Sequence, residues 1–291
     1  MTRTKRKVRN NILFYTALII ILLIILFPFI MMVSVAFKST AETIGFPPTI
    51  IPKSFTFKHK EMFEFLEKHM EDIFNPGIFP FLKYFKNSMY ISLTTSAIVV
   101  FLGILGGYAL AKLKFKGKSV ITEVFFFVYM FSGILLIVPL YKLLSSIGLR
   151  NSHEAVIICM IIQTLPTAIY MTRSFFETIP DALEEAGRED GLSRFGVIFR
   201  IVVPLSISGL ISVFVYAFMI AWNDVLFASI FLDSPDKMTI TIGLNSLFNT
   251  PDYIWGRMMA ASIMSSLPIV IMYGISQTLI KSGRTAGGVK G

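Results

Sequence analysis

Three kinds of side chain in this sequence could do chemistry: a lysine that follows a glycine, carboxylates within apolar segments, and histidines. The segment Phe115–Ser119 reads FKGKS and ends in the Gly-Lys-Ser of a phosphate-binding loop. That loop also needs a preceding strand and a glycine five residues before Gly117, where this chain has Lys112. The segment lies in a tight loop between apolar runs, so we expect no nucleotide site, and membrane topology explains the lysines better.

The apolar segments hold few ionisable groups. Glu123 lies near the end of one, and Asp224, in the sequence AWNDVLF, is the most deeply embedded carboxylate. Ion-coupled carriers place several such groups near the membrane midplane, and no serine, histidine and carboxylate constellation stands out. Trp222, Asn223 and Asp224 are candidates for lining a polar path; a helix-interface hydrogen bond or an outer-end anchor is the alternative. We predict no catalytic residue.

The histidines and the cysteine suggest no metal site either. His59 and His69 lie among glutamates, but ten positions separate them, so they are not adjacent ligands on a helix. We expect both to be solvated surface residues. Cys159 is the only cysteine, which excludes an intramolecular disulfide and a thiolate cluster; we expect it to be packed in an apolar segment.

Composition predicts the elements that must position these residues. Apolar residues make up 54% of the 291, charged residues only 15%, and several runs approach the ~20 apolar residues that span a bilayer. We predict an all-α polytopic membrane protein, one domain over 1–291, with six transmembrane helices. The predicted spans are 12–37, 84–111, 119–141, 154–174, 203–231 and 255–280.

Charge distribution predicts the orientation of these spans. With the N-terminus inside, 16 of the 27 Lys and Arg residues fall in cytoplasmic segments. Most of the others lie in or beside one long outer loop, 38–83, and long loops count for little in this rule. Both termini are therefore predicted to be cytoplasmic, and the net charge of +9 needs no nucleic-acid partner.

Two further segments have a predicted packing role. Apolar residues in the outer loop recur at helical spacing and predict an amphipathic helix on the membrane or against a partner; they are Met62, Phe65, Leu66, Met70 and Ile73. The run Gly103–Gly107 (GILGG) places small residues four apart, which favours close helix packing.

A charged insert, Asp181–Gly196, interrupts the apolar segments. Asp181 and Glu184 have the Asp-x-x-Glu form of a capping box, which predicts a helix start. Gly191 suits the turn after that helix, and Ser193 can cap a second helix that runs to Pro204. The insert lies in a predicted cytoplasmic loop, 175–202.

Small residues rimmed by carboxylates make the first helix suited to docking in a cleft of another protein; a solvated loop is the alternative. The candidate docking residues are Asp181, Ala182, Glu184, Glu185, Ala186, Gly187, Asp190 and Gly191.

The segment EAGREDGLSRFGVIFRIVVP, Glu185 to Pro204, resembles the EAA loop of permease subunits in binding-protein-dependent ABC importers. That pattern is EAA, three residues, Gly, nine residues, Ile, one residue and Leu-Pro. Gly187 in place of the third Ala and Val203 in place of Leu are departures. The tail GRTAGGVKG and the segments AWNDVLFASIFL and YIWGRMMAASIMSSLPI are similar to carbohydrate-importer permeases of the maltose (MalG) type.

The resemblance implies an ABC importer permease bundle that imports a sugar or oligosaccharide. It implies a second permease, so that a heterodimer forms the pathway, two cytoplasmic ATPase subunits that hold ATP and Mg, and an extracytoplasmic sugar-binding protein. This chain itself would bind no cofactor. Its tail would contact the ATPase through Thr285, Ala286, Gly287, Gly288, Val289, Lys290 and Gly291. The binding protein would be met by Asn245, Asn249, Pro251, Asp252 and Tyr253.

The resemblance also implies residence in the prokaryotic cytoplasmic membrane, in contact with lipid. In maltose-type systems the partner permease holds most sugar contacts, which weakens the case for Trp222 and Asn223 as pathway residues. A stand-alone secondary carrier or channel is the competing hypothesis, and dependence of transport on a separate ATPase discriminates between the two.

Overall fold

A computed structural model of the protein describes residues 3–53, 59–130, 133–247 and 254–286, and the regular elements in these ranges are helices. They are α1 (Arg3–Ala36), α2 (Thr40–Thr43), α3 (His59–Phe74), α4 (Phe81–Lys112), α5 (Lys118–Met130), α6 (Gly133–Ser146), α7 (His153–Glu177), α8 (Asp181–Glu189), α9 (Arg194–Val197), a π-helical turn (Ile198–Val202), α10 (Val203–Leu205), α11 (Ile207–Trp222), α12 (Leu226–Phe231), a 3₁₀ turn (Pro235–Lys237), α13 (Ile240–Leu247) and α14 (Trp255–Ala286).

Four helices of the described ranges are long and apolar enough to cross a membrane: Asn10–Ala36, Phe81–Lys112, His153–Glu177 and Trp255–Leu279. A fifth candidate is a bent pair in which Arg194–Leu205 meets Ile207–Trp222 at 84°. The prediction of long apolar helices is thus confirmed for the described residues, and these four helices correspond to four of the six predicted spans.

One predicted span is not a continuous helix, and another runs through residues outside the described ranges. The segment predicted at 119–141 comprises α5 and α6, with 131–132 outside the described residues. The segment predicted at 203–231 bends at Ser206, just after Pro204, and stops at Trp222 before α12 begins. The second break has a polar cause, since the Asp224 carboxylate accepts hydrogen bonds from Phe227 N and Ala228 N, at 3.3 and 2.8 Å, and so caps α12.

The chain forms two compact units, where the sequence predicts one domain: residues 1–81 with 246–265, and residues 82–245 with 266–291. In the first unit, α3 packs on the chain just after α1, and Phe63 and Phe37 meet edge to face at 5.9 Å. The predicted amphipathic stripe is present, with Met62 and Ile73 buried. This unit therefore covers the apolar face of α3 itself.

The prediction that His69 is a solvated surface residue is wrong, because its side chain is buried. Its Nε2 lies 3.2 Å from the Lys38 carbonyl oxygen, and burial lowers its pKa. A Cβ added at Gly256 would lie only 2.1 Å from that nitrogen, so only glycine lets α14 pass here. The Arg257 guanidinium bonds Asp72 at 2.7 Å beside it. The side chain of His59 lies outside the described residues.

In the second unit, α7 is the central helix. Its buried face includes Val156, Met160 and Cys159, so the packed position predicted for the cysteine is confirmed. The close approach predicted for Gly103–Gly107 is confirmed too: a Cβ at Gly107 would lie 2.8 Å from Thr172 Cβ of α7. The same unit carries the charged insert at the end of α7.

Candidate coupling site

The first helix of the insert, α8, begins at Asp181 with Pro180 as its N-cap, and no side chain caps it. The predicted capping box between Asp181 and Glu184 is therefore wrong, because both carboxylates are held by another helix. The end of α8 agrees with the prediction. Gly191 has a φ of +84°, Leu192 N donates to Gly187 O at 3.0 Å and Gly191 N donates to Arg188 O at 3.1 Å. This pair of bonds is a Schellman motif.

The second helix of the insert starts where the sequence predicts. Ser193 Oγ accepts a hydrogen bond from Gly196 N at 3.2 Å, and helical structure then continues to Leu205. Val197 and Val202 are fully buried in a cluster that also contains Ile104 of α4 and Phe176 of α7. This apolar cluster seats the insert on the ends of α4 and α7.

Lys112, at the end of α4, ties α8 to the bundle. Its Nζ donates to Ile179 O at 2.5 Å and to Asp181 Oδ1 at 2.6 Å, and lies 3.4 Å from Glu184 Oε1. Tyr108, one turn earlier on α4, donates its hydroxyl to Glu184 Oε2 at 2.8 Å. We call Tyr108, Lys112, Asp181 and Glu184 the Lys112 anchor.

Burial gives this anchor its strength. The side chains of Lys112 and Glu184 are only 7% and 11% exposed, so solvent screens their attraction little. Asp181 is 80% exposed, and the hydrogen bond from Lys112 lowers the pKa of its carboxyl. That depressed pKa stabilises the folded state above the ordinary pKa of 3.8 and is lost only on acidification below it. The Asp181 carboxylate is therefore charged at neutral pH.

The predicted docking residues divide between two faces of α8. Glu184 and Gly187 face the bundle. A Cβ at Gly187 would lie 2.4 Å from Ile201 Cδ1, so α8 lies directly on the π-helical turn. An alanine at this position, where the EAA pattern has its third alanine, would require the end of the Ile201 side chain to move.

The opposite face of α8 is exposed and has no partner within the described residues. It carries Ala182, Glu185, Ala186 and Glu189, which are spaced at three, four and seven positions from the first. Asp190 and Gly191 are exposed at its end. Alanines let a partner helix or cleft wall approach closely, and the two glutamates supply negative charge at the centre and at the end of this face.

Trp222, a predicted candidate for lining a polar path, is buried inside this chain. It is 2% exposed, stacks on Phe218 at 5.5 Å and meets Phe85 edge to face at 5.4 Å, so it belongs to the core. Asn223 is exposed and donates its amide to Met219 O at 2.8 Å, while Asp224 caps α12. Core packing explains Trp222 and helix capping explains Asp224, and neither is the helix-interface hydrogen bond or the outer-end anchor that the sequence analysis gave as the alternative.

The remaining predicted contacts lie at the margins of the described chain. Asn245 is exposed near the end of α13, and Thr285 and Ala286 continue the backbone of α14. Asn249, Pro251, Asp252, Tyr253 and Gly287 to Gly291 lie outside the described residues. Within the described residues, no cluster of three His, Cys, Asp or Glu side chains could hold a metal ion.

The Lys112 anchor was missed by the sequence analysis, which interprets Lys112 as a topological lysine only. A signal exists, since Tyr108 and Lys112 are four apart on one side of α4, and Asp181 and Glu184 are three apart on α8. Nothing local in the sequence indicates that these two pairs meet.

Comparison with known proteins gives the site a context. Residues 80–284 match the family described as "Binding-protein-dependent transport system inner membrane component". The inner membrane ABC transporter permease protein YcjP of Escherichia coli (strain K12) is 54% identical over 288 residues, 99% of each chain. The maltose/maltodextrin transport system permease protein MalG of the same strain is 30% identical over 300 residues, 100% of each chain.

A solved structure shares the fold. It is a bacterial ABC transporter involved in the import of the acidic polysaccharide alginate, and its chain superposes with a TM-score of 0.74. The match covers 96% of this chain and 98% of the other, although the two sequences are 20% identical. The helical arrangement is thus the same, whereas most side chains differ.

Proposed function

This chain belongs to the family of binding-protein-dependent transport system inner membrane components, and it is therefore the permease subunit of an ABC importer. We propose that the solute it imports is a sugar or oligosaccharide. Support comes from the maltose/maltodextrin permease that aligns with this chain over its whole length. The segments AWNDVLFASIFL and YIWGRMMAASIMSSLPI, which resemble carbohydrate-importer permeases, agree with this assignment. Family membership favours an importer subunit over a stand-alone carrier or channel.

The proposed coupling between the ATPase and the spans rests on one observation about α8. One face of this helix is bonded to the bundle, and the opposite face is exposed. The Lys112 anchor fixes one side to the ends of α4 and α7, while Ala182, Glu185 and Ala186 are exposed on the other. A docked ATPase subunit would push or pull on α8, and the anchor would pass that displacement to the spans. Glu184 and Gly187 then hold the helix, and only the exposed residues contact the ATPase.

The proposed assembly contains this chain, a second permease, two cytoplasmic ATPase subunits and an extracytoplasmic binding protein. ATP and Mg are held by the ATPase subunits, and this chain carries out no hydrolysis. The tail from Thr285 to Gly291 would extend along the ATPase, and the segment from Asn245 to Tyr253 would meet the binding protein.

We further propose six spans with both termini inside. In this topology α5 and α6 together form the third span, and α11 with its neighbours forms the fifth. The Lys112 anchor and α8 then lie at the cytoplasmic surface.

A cysteine at Ser193, in a Cys159→Ser background, is expected to resist a membrane-impermeant thiol reagent in intact cells and to react after the membrane is opened. Ser193 is exposed on this chain, so in the proposed topology the bilayer keeps an external reagent away from it. A cysteine at Glu67, exposed on α3 in the predicted outer loop, is the control and should react in intact cells. Labelling of the Ser193 variant from outside would overturn the orientation.

Reconstitution tests the proposed function as a whole. Proteoliposomes that contain the two permeases and the ATPase are expected to take up a radiolabelled sugar only with internal ATP and an external loaded binding protein. A panel of loaded binding proteins, scored by stimulation of ATP hydrolysis, would identify the sugar. Uptake without ATP would show a secondary carrier instead.

A further inference from the structure

One edge of α7 is polar although the helix is apolar enough to span a membrane. Gln163, Thr167, Tyr170 and Ser174 recur at intervals of four, three and four residues, which places them on one side of the helix. Gln163, Tyr170 and Ser174 are exposed, and Tyr170 is 66% exposed. The same helix has a mean hydropathy of 1.8 in its span. We call Gln163, Thr167 and Tyr170 the polar edge of α7.

Contact with lipid tails would be unfavourable for the polar edge of α7. Within the described residues no hydrogen bond is made by the Gln163 amide or by the Tyr170 hydroxyl, and the buried Thr167 Oγ1 has no partner either. An amide or hydroxyl in hydrocarbon without a hydrogen bond costs several kcal/mol. The edge therefore needs polar surroundings that this chain does not itself supply.

A cleft adjoins the polar edge. Thr167, Tyr170 and Arg173 of α7 line one wall, and Thr122, Glu123 and Phe127 of α5 line the other. Its volume is about 720 Å³, within the roughly 300–1,000 Å³ of small-molecule sites. The exposed lining is mostly apolar and includes aromatic surface of Phe127 and Tyr170, and the side chains of Thr122, Glu123 and Arg173 are among its few polar groups. Aromatic faces next to hydrogen-bonding groups match the apolar C–H faces and hydroxyls of a sugar ring.

The side chains of the edge also differ from those of a helix-packing surface. Where α4 and α7 pack, glycines bring the backbones together, as at Gly107 against Thr172. Gln163 and Tyr170 instead have long side chains that hold a second helix away from α7. The space beside them is better suited to a solute and water than to a tightly packed partner helix.

We propose that the polar edge of α7 is the surface that this chain contributes to the sugar pathway. Gln163 exchanges hydrogen bonds with sugar hydroxyls during passage, and Tyr170 stacks on the ring. This inference rests on the proposed function, and it replaces Trp222, which lies in the core, as the aromatic residue of the path.

The test uses vesicles that contain the complete complex with single cysteines in a Cys159→Ser background. The probe is the water-soluble cation 2-(trimethylammonium)ethyl methanethiosulfonate. The Gln163→Cys and Tyr170→Cys variants are expected to react at least about ten times faster than Leu23→Cys, because α1 is apolar and exposed along its span. Trapping the complex with ATP and vanadate should change the two rates at the polar edge, since a pathway alternates its access.

Two results would overturn the inference. A Gln163 cysteine as slow as that at Leu23 would place the edge in lipid or in a dry interface with the second permease. Rates at the edge that vanadate leaves unchanged would indicate a static crevice. ATP hydrolysis by the Cys159→Ser parent complex, stimulated by loaded binding protein, is measured in parallel. If it persists, only the inference has failed; if it is absent, the proposed function has failed.

Discussion

Replacement of Glu185 by arginine is expected to weaken association of this chain with the ATPase subunits by roughly 30-fold or more. Glu185 is exposed at the centre of the free face of α8, between two alanines that let a partner approach closely. Truncating one member of a desolvated interface charge pair costs about 2–5 kcal/mol, and charge reversal adds repulsion. Copurification of the ATPase with tagged permease, titrated with salt, measures the loss.

A matched control separates docking from folding. Glu67→Arg makes the same charge change on the exposed surface of α3, in the predicted outer loop, and should leave ATPase association unchanged. Thermal unfolding of both purified permeases should match the parent, because neither side chain is buried. Normal copurification and normal sugar uptake by the Glu185→Arg complex would contradict docking through this face.

Replacement of Lys112 by methionine is expected to uncouple hydrolysis from transport while leaving the ATPase bound. The substitution keeps the length of the side chain but leaves Glu184 buried without its cation and Ile179 O without its donor. Removing one partner of a buried ion pair costs about 3–5 kcal/mol, enough to release α8 from α4. Sugar uptake per ATP hydrolysed in proteoliposomes should fall at least about tenfold.

The neighbouring lysine provides the control for this second prediction. Lys114→Met removes an exposed charge two residues further on and should preserve the ratio of uptake to hydrolysis. Lys112→Arg keeps the cation and should restore part of the coupling. A Lys112→Met complex that transports with the parent's ratio would show that displacement of α8 does not pass through the Lys112 anchor.

Local chemistry made much of this fold predictable from the sequence. Long uncharged runs predict α1, α4, α7 and α14, because only a helix satisfies its own backbone in lipid. Gly191 and Ser193 predict the end of α8 and the start of α9, since each acts on its own or adjacent backbone.

Features that depend on distant contacts were not predicted. The charged residues around His69 in the sequence predict a surface position, yet the side chain is buried. It packs against Gly256, nearly 190 positions later, where a Cβ would collide with the imidazole. Asp181 and Glu184 have the spacing of a capping box, but Lys112 of another helix competes for both carboxylates. Asp224 looks like a membrane-embedded charge, and its local role as acceptor of the Phe227 and Ala228 N–H groups was also missed.

Site-directed photocrosslinking from α8 shows whether its exposed face docks on the ATPase. A benzoyl-phenylalanine at Ala186, on the exposed face, is compared with one at Ser119, also exposed and near the predicted cytoplasmic surface. In membranes that hold the complete transporter, we expect the probe at Ala186 to crosslink to the phosphate-loop ATPase and the probe at Ser119 to do so much less. ATP with vanadate should change the yield at Ala186. Equal yields from the two positions, or no ATPase adduct from Ala186, would contradict this docking.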